Sequence, residues 1–152
     1  MSSSFQFIRG QLIEIGRMVR EFLGARQSDS LGGRGERAAE RFLKQRKYKI
    51  VGRQMRNSMG EIDLIAVLDR TVVFVEVKTR SSDLRGSPSE AVDDAKQKRI
   101  SKAALAYLKR HHMLEYRCRF DVIAITWPEC QKKPVVTHFE NAFQPTDQFQ
   151  LF

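Results

Sequence analysis

The sequence predicts a single α/β domain, a mixed β-sheet flanked by helices. Three observations predict it. Residues 60–80 are two runs rich in β-branched and aromatic residues on either side of a short polar turn, the pattern of adjacent strands. Stretches of helical periodicity lie before and after that hairpin. A further apolar run at 117–126 supplies another strand, and 135–139 supplies a last one at the sheet edge.

With 152 residues the chain is long enough for one domain with a sizeable core. Its 41% hydrophobic and 30% charged residues suit a globular protein, and no apolar run approaches the roughly eighteen residues that span a bilayer. The first residues lack the pattern of a secretory leader, and Cys118 and Cys130 lack metal-ligand spacing. Both thiols are therefore expected reduced, in a cytoplasmic protein. The net charge of +9 points towards a polyanion, either nucleic acid or an anionic surface.

Taken in order, residues 5–27 place Phe5, Ile8, Leu12, Ile15, Val19 and Phe22 on one helical stripe. That helix is expected to pack on the domain or on a second copy; a membrane-surface or partner-binding helix is the alternative, with no partner specified. Residues 27–35, rich in Ser, Asp and Gly, form a linker by composition. The chain thus divides into an N-terminal helix and linker (1–30), an α/β domain (31–140) and a tail (141–152). The domain opens with a helix over 36–46, with Ala38, Ala39, Phe42 and Leu43 on its apolar face. Glu36 is placed in its first turn, where the helix dipole alone would account for a carboxylate. A strand over 48–56 and a turn at 57–60 lead into the hairpin. Nine basic residues against two acidic ones lie between Arg34 and Arg56.

After the hairpin, 79–87 is a polar loop that could cover a site. Ser87, Pro88 and Glu90 then compose an N-cap and capping box for a helix running to about His111. Six cations and no acid stand between Ala95 and Met113 on that helix. They offer either a solvated face or a phosphate-contacting one.

The hairpin carries the chemistry. Glu61, Asp63, Glu76 and Lys78 interrupt an otherwise apolar pattern. Symmetry about Asp69-Arg70 sets Asp63 opposite Glu76 and Glu61 opposite Lys78, although Asp-Arg is not a favoured hairpin turn. Alternation places Ile62, Leu64, Ala66 and Leu68 together on the face away from the ionisable groups. Opposed carboxylates, with Cβ atoms about 5 Å apart, repel unless a cation or a proton is shared. Two readings stay open on spacing alone. One is a site for a hard cation such as Mg²⁺, suited to phosphodiester hydrolysis. The other is a salt-bridge ladder, worth on the order of 0–1 kcal/mol per pair.

The ordered motifs Gly35-Glu36, Gly60-Glu-Ile-Asp-Leu-Ile-Ala66, Phe74-Val-Glu-Val-Lys-Thr-Arg80, Lys96-Gln-Lys-Arg99 and Arg119-Phe-Asp-Val122 resemble the bacterial YraN-like family. Asp63 with Glu76-Val77-Lys78 also resembles the signature of the PD-(D/E)XK nuclease superfamily, and the family is similar to archaeal Holliday-junction resolvases. The likeness covers residues 32–125. The superfamily's proline is absent, since Glu61-Ile62 precedes Asp63.

The resemblance implies a restriction-endonuclease-like mixed sheet of about five strands and a Mg²⁺ or Mn²⁺ site. By position it makes Glu36, Asp63 and Glu76 metal ligands, with the Val77 carbonyl assisting. Lys78 becomes the catalytic lysine and Gln97 a supporting polar residue. With the charge distribution it nominates Arg34, Arg37, Arg56, Arg80, Lys96, Lys98, Arg99 and Lys102 as nucleic-acid contacts. The expected activity is metal-dependent endonuclease cleavage of DNA, ahead of RNA, on branched or structured substrates, by a homodimer matching a two-fold junction. The alternatives are a non-cleaving nucleic-acid-binding module on the same fold and an adaptor acting through the N-terminal helix.

Overall fold

A computed structural model describes residues 30–81, 92–128 and 132–145. The expected helix over 5–27, the capping residues Ser87, Pro88 and Glu90, Cys130 and the last seven residues lie outside the described residues. The elements run α1 (Leu31–Gln45), β1 (Lys49–Asn57), β2 (Gly60–Leu68), β3 (Thr71–Arg80), α2 (Asp94–Arg110), β4 (Arg117–Thr126) and β5 (Val135–Phe143). Five strands form one sheet in the order β1-β2-β3-β4-β5. Only β3 and β4 are parallel, joined by the crossover that contains α2. The architecture is α/β with a five-stranded mixed sheet flanked by two helices, consistent with a restriction-endonuclease-like fold.

Each helix buries one apolar face against one side of the sheet. Ala38, Ala39 and Leu43 of α1 pack on Leu64, Ala66, Val73, Val75, Ile123 and Ile125. On the other side, Ile100, Ala103, Ala104, Tyr107 and Leu108 of α2 pack on Ile65, Val72, Phe74, Phe120 and Val122. Strands β3 and β4 are covered on both faces, which is why their apolar runs are nearly continuous. No helix among the described residues is long and apolar enough to cross a membrane.

Helix α1 starts earlier than the linker composition suggests. Ser30 caps it, its Oγ accepting from Gly33 N at 3.2 Å, so Gly32, Gly33 and Gly35 lie inside the helix. Gly35 is there for close approach rather than for a turn: a Cβ would overlap the Thr79 side chain on β3. Glu36 is accordingly the sixth helical residue, and the first turn holds no acid. The helix dipole does not account for it. A Gly35→Ala variant should lose about 1–3 kcal/mol through overpacking, read as a lower urea midpoint at unchanged slope.

Helix α2 also differs at its start. Asp93 is its N-cap, accepting from Lys96 N at 2.7 Å, and Val92 and Asp93 are not helical. A continuous helix from Ser87 is ruled out by that break. Strand β5 runs past the expected boundary because Phe143 is buried, stacked on Phe120 with ring centroids 5.0 Å apart.

The hairpin keeps the symmetric register, with Leu64 paired to Val75 and Leu68 to Thr71. Its unfavoured Asp-Arg turn is accommodated by positive φ at both Asp69 (51°) and Arg70 (150°). A one-residue slip would move every side chain of two covered strands to the wrong face, so the sheet imposes the register despite local strain.

Candidate active site at the fork of β2 and β3

Pairing between β2 and β3 stops at Leu64–Val75. Beyond that point β2 stays with β1 as far as Gly60, while β3 stays with β4 as far as Arg80. The two strands fork, and the ionisable residues sit in the fork. Beside the fork the β1 backbone is irregular at Gln54. Gln54 and Asp63 lie between the paired positions Arg53–Leu64 and Met55–Ile62, and Gln54 adopts a left-handed backbone with φ 45°. A non-glycine residue rarely does so without a constraint.

The kink breaks the strand alternation. Ile62 packs on the α2 side, whereas Leu64 and Ala66 pack on the α1 side, so the single apolar face expected for Ile62, Leu64, Ala66 and Leu68 is not formed. Arg53 and Gln54, adjacent in sequence, both reach α1. Arg53 grips Glu40 with two hydrogen bonds at 2.6 and 2.8 Å, and Gln54 Nε2 donates to Glu36 at 3.0 Å. The Arg53 guanidinium holds the Glu40 carboxyl down to about 2, against the cost of burying it.

At the fork, Asp63 Oδ2 accepts from Val77 N at 2.7 Å, so a side chain of β2 takes a backbone N–H of β3. Glu76 is 4% exposed, and its Oε1 receives Lys78 Nζ at 2.9 Å and Lys96 Nζ at 3.2 Å. Its Oε2 is buried without a hydrogen-bond partner among the described residues. Burial and then the neighbouring Glu76 push the Asp63 carboxyl up to about 7, with Glu36 adding to the rise and Lys96 opposing it. Burial also raises Glu36, opposed by its Gln54 hydrogen bond.

The charge on Glu76 is thus felt at Asp63, although backbone pairing of β2 with β3 ends one position short of them. Glu61 does not meet Lys78: it pairs with Arg56 at 3.0 Å, because its part of β2 follows β1. The ladder expected between Glu61 and Lys78 is absent. Lys78 is instead beside Glu76 on its own strand.

Among the described residues no three His, Cys, Asp or Glu side chains gather closely enough to hold a metal ion. Glu36, expected as a third ligand, is held by Gln54 in this arrangement. The remaining pair still suits Mg²⁺, which takes one or two carboxylates and completes its shell with water and phosphate oxygens. The unpartnered, buried Glu76 Oε2 is the donor atom that such a cation would satisfy. Gln97 donates to Val92 O at 2.9 Å and so steadies the approach to α2.

Of the eight basic residues nominated as contacts, the fold brings Arg56, Lys96 and Arg99 together. With Asn57, Gly60 and Glu61 they line an open cleft of about 340 Å³. Lys98 and Lys102 are exposed on α2. Arg34 is elsewhere, its guanidinium 4.9 Å above the Trp127 ring. Arg37 lies partly buried on α1, and the Arg80 carbonyl accepts from Trp127 N at 3.1 Å.

A second buried cluster was not foreseen from residue patterns. Asp121 is 0% exposed; its Oδ2 accepts from Arg119 Nη2 at 3.0 Å and lies 2.8 Å from His138 Nε2. Its Oδ1 accepts from Asn141 N at 2.9 Å. Arg119 also reaches Tyr48 and Glu140. An aspartate inside an apolar strand was the available signal. Cys118 is a partly buried free thiol, pushed up by that burial.

Known proteins match the same region. A UPF0102 protein of Rhodopirellula baltica is 45% identical over 120 residues, 77% of this chain and 72% of its own. One from Geobacter sulfurreducens is 46% identical over 123 residues, covering 80% and 94%. One from Chlorobium phaeobacteroides is 52% identical over 95 residues, covering 62% and 75%. The family match spans residues 35–125. It takes in Gly35 against Thr79, the fork with Asp63, Glu76 and Lys78, the basic cleft and Asp121, and on that extent the chain belongs to the uncharacterised protein family UPF0102.

Proposed function

We propose that this chain is a divalent-metal-dependent endonuclease of the PD-(D/E)XK superfamily, acting on DNA of branched or otherwise structured form. The observation that carries the reading is the buried Glu76, with Oε2 unpartnered among the described residues and Oε1 held by Lys78 and Lys96. A structural salt bridge would not leave an acceptor buried and unsatisfied next to a second carboxylate.

Asp63 and Glu76 would hold the cation, Mg²⁺ or Mn²⁺, with the Val77 carbonyl adjoining. Bound there, it supplies a water acidified towards neutral pH and offsets charge on the phosphate. The Val77 N–H fixes one Asp63 oxygen and so orients the carboxylate. Lys78 places a positive charge 2.9 Å from Glu76, where it can position the attacking water or offset the charge that develops on the phosphate. Glu36 stands behind the pair as a third carboxylate, oriented by Gln54, while Gln97 is a positioning residue for α2. A homodimer would present two such sites to a junction with two-fold symmetry.

The test is direct. Labelled linear, flapped and four-way-junction DNA, and RNA, are incubated with the protein and Mg²⁺ or Mn²⁺, alongside Glu76→Gln and Lys78→Ala. Cleavage by the parent protein, lowered at least about 10²-fold in each variant, is expected. Binding without cleavage under every condition would leave a nucleic-acid-binding module instead.

A further inference from the structure

The basic cleft and the carboxylate pair share one residue. Lys96 lines the cleft with Arg56 and Arg99, and its ammonium also lies 3.2 Å from Glu76 Oε1. We propose that the cleft is a subsite for a backbone phosphate of the bound strand, with Lys96 dividing its charge between that phosphate and Glu76. The inference rests on the reading of this face as a nucleic-acid surface.

Three features shape the cleft for an oxyanion. Among the described residues lining it, three cations stand with a single carboxylate, Glu61, which Arg56 already engages at 3.0 Å. Gly60 forms part of the wall because a Cβ there would come 3.0 Å from the Arg99 carbonyl, so the β1–β2 turn lies directly against the α2 backbone. Asn57 fixes that turn, its Oδ1 accepting from Met59 N and Gly60 N at 2.9 and 3.1 Å, and its Nδ2 donating to Ala103 O at 3.3 Å. The wall is thus rigid while the cationic tips are long and adjustable.

The shared lysine couples the two sites. With no cation at the carboxylates, Glu76 holds the Lys96 ammonium. A divalent cation and that ammonium compete for the same carboxylate, so cation binding frees Lys96 for the phosphate. By linkage, a phosphate that draws Lys96 away favours the cation by the same factor. Lys96 therefore works against cation binding in the free protein and for strand binding, two effects of opposite sign. Loss of a merely structural lysine would weaken both.

The experiment uses the full chain and two variants, Lys96→Met and Arg99→Ala. Mn²⁺ affinity is measured by calorimetry without nucleic acid. Affinity for fluorescein-labelled duplex DNA is measured by anisotropy in EDTA across a salt series, where no cleavage occurs. Lys96→Met is expected to bind Mn²⁺ several-fold more tightly, and to bind DNA up to about tenfold more weakly with a salt slope smaller by about one. Arg99→Ala should show the same loss of DNA affinity and slope with Mn²⁺ affinity unchanged. DNA affinity and slope unchanged in both variants would overturn the subsite, and weaker Mn²⁺ binding in Lys96→Met would overturn the coupling. If both shifts appear while the parent protein cleaves nothing, the nuclease reading fails and the subsite stands.

Discussion

An Asp63→Asn variant is expected to lose cleavage by about 10³-fold or more, roughly 4 kcal/mol of transition-state stabilisation, and to become more stable in the same preparation. Both effects follow from one carboxylate. Asparagine keeps an oxygen for the Val77 N–H but brings no charge against Glu76. The sign is fixed by the direction of the shift. Asp63 is raised from an ordinary value near 3.8 to about 7, so the folded chain binds a proton more tightly there than the unfolded chain does. Stability from this group is fully present below about 4 and drains away as the pH rises to about 7. Asparagine does not titrate, so the variant should match the parent near pH 4 and exceed it above pH 7 by up to about 4 kcal/mol, the upper bound set by a rise from 3.8 to about 7. Thermal denaturation in EDTA across that range measures it. Adding Mg²⁺ or Mn²⁺ should raise the parent's midpoint and not the variant's, because a ligand stabilises only the state that binds it. A variant that still cleaves would remove Asp63 from the proposed mechanism.

Asp121→Ala should give the largest loss of stability, about 3–5 kcal/mol, with a midpoint lowered by roughly 10 °C. The carboxylate is fully buried and answers Arg119, His138 and the Asn141 N–H together. Its removal takes an acceptor from the partly buried Arg119, from the His138 ring and from the Asn141 N–H at once, which costs more than any one lost bond. The effect should fall on β4 and β5, where these groups lie, and hydrogen exchange should show β5 losing protection first. A loss below about 1 kcal/mol would mean that water replaces the carboxylate.

The two variants separate the two kinds of buried acid in this protein. Asp121 is satisfied and stabilises the sheet. Glu76 keeps one buried oxygen without a partner among the described residues, and its charge helps push the Asp63 carboxyl up. Glu40 belongs with Asp121: Arg53 holds it down to about 2, so its contribution persists above pH 4.5 and is lost only as the pH falls towards 2.

Much of this was legible in the residues. The five strands, the apolar faces of both helices and the register of the central hairpin follow from period and patterning, because covered strands tolerate only one alternation. The register itself ends at Leu64–Val75, one position short of Asp63 and Glu76. The helix starts did not follow. Glycines at 32, 33 and 35 suggest a linker, yet Gly35 answers to the Thr79 side chain, a contact made across 44 positions of sequence. The capping box at Ser87 obeys every local rule, and the helix nevertheless begins at the Asp93 cap. Glu61 was misplaced because symmetric pairing was carried through a hairpin that forks.

By itself, then, the sequence determined the sheet, its two covering helices and the pair of acids between strands β2 and β3. Periodicity and burial are local properties that the chain states outright. Only the tertiary structure decided what surrounds that pair. The two strands part beyond Leu64–Val75, the Val77 N–H takes Asp63, and α2 brings Lys96 to Glu76 from twenty positions further along. Such contacts join residues distant in sequence, and their geometry is set by how strands separate and helices dock rather than by any spacing along the chain.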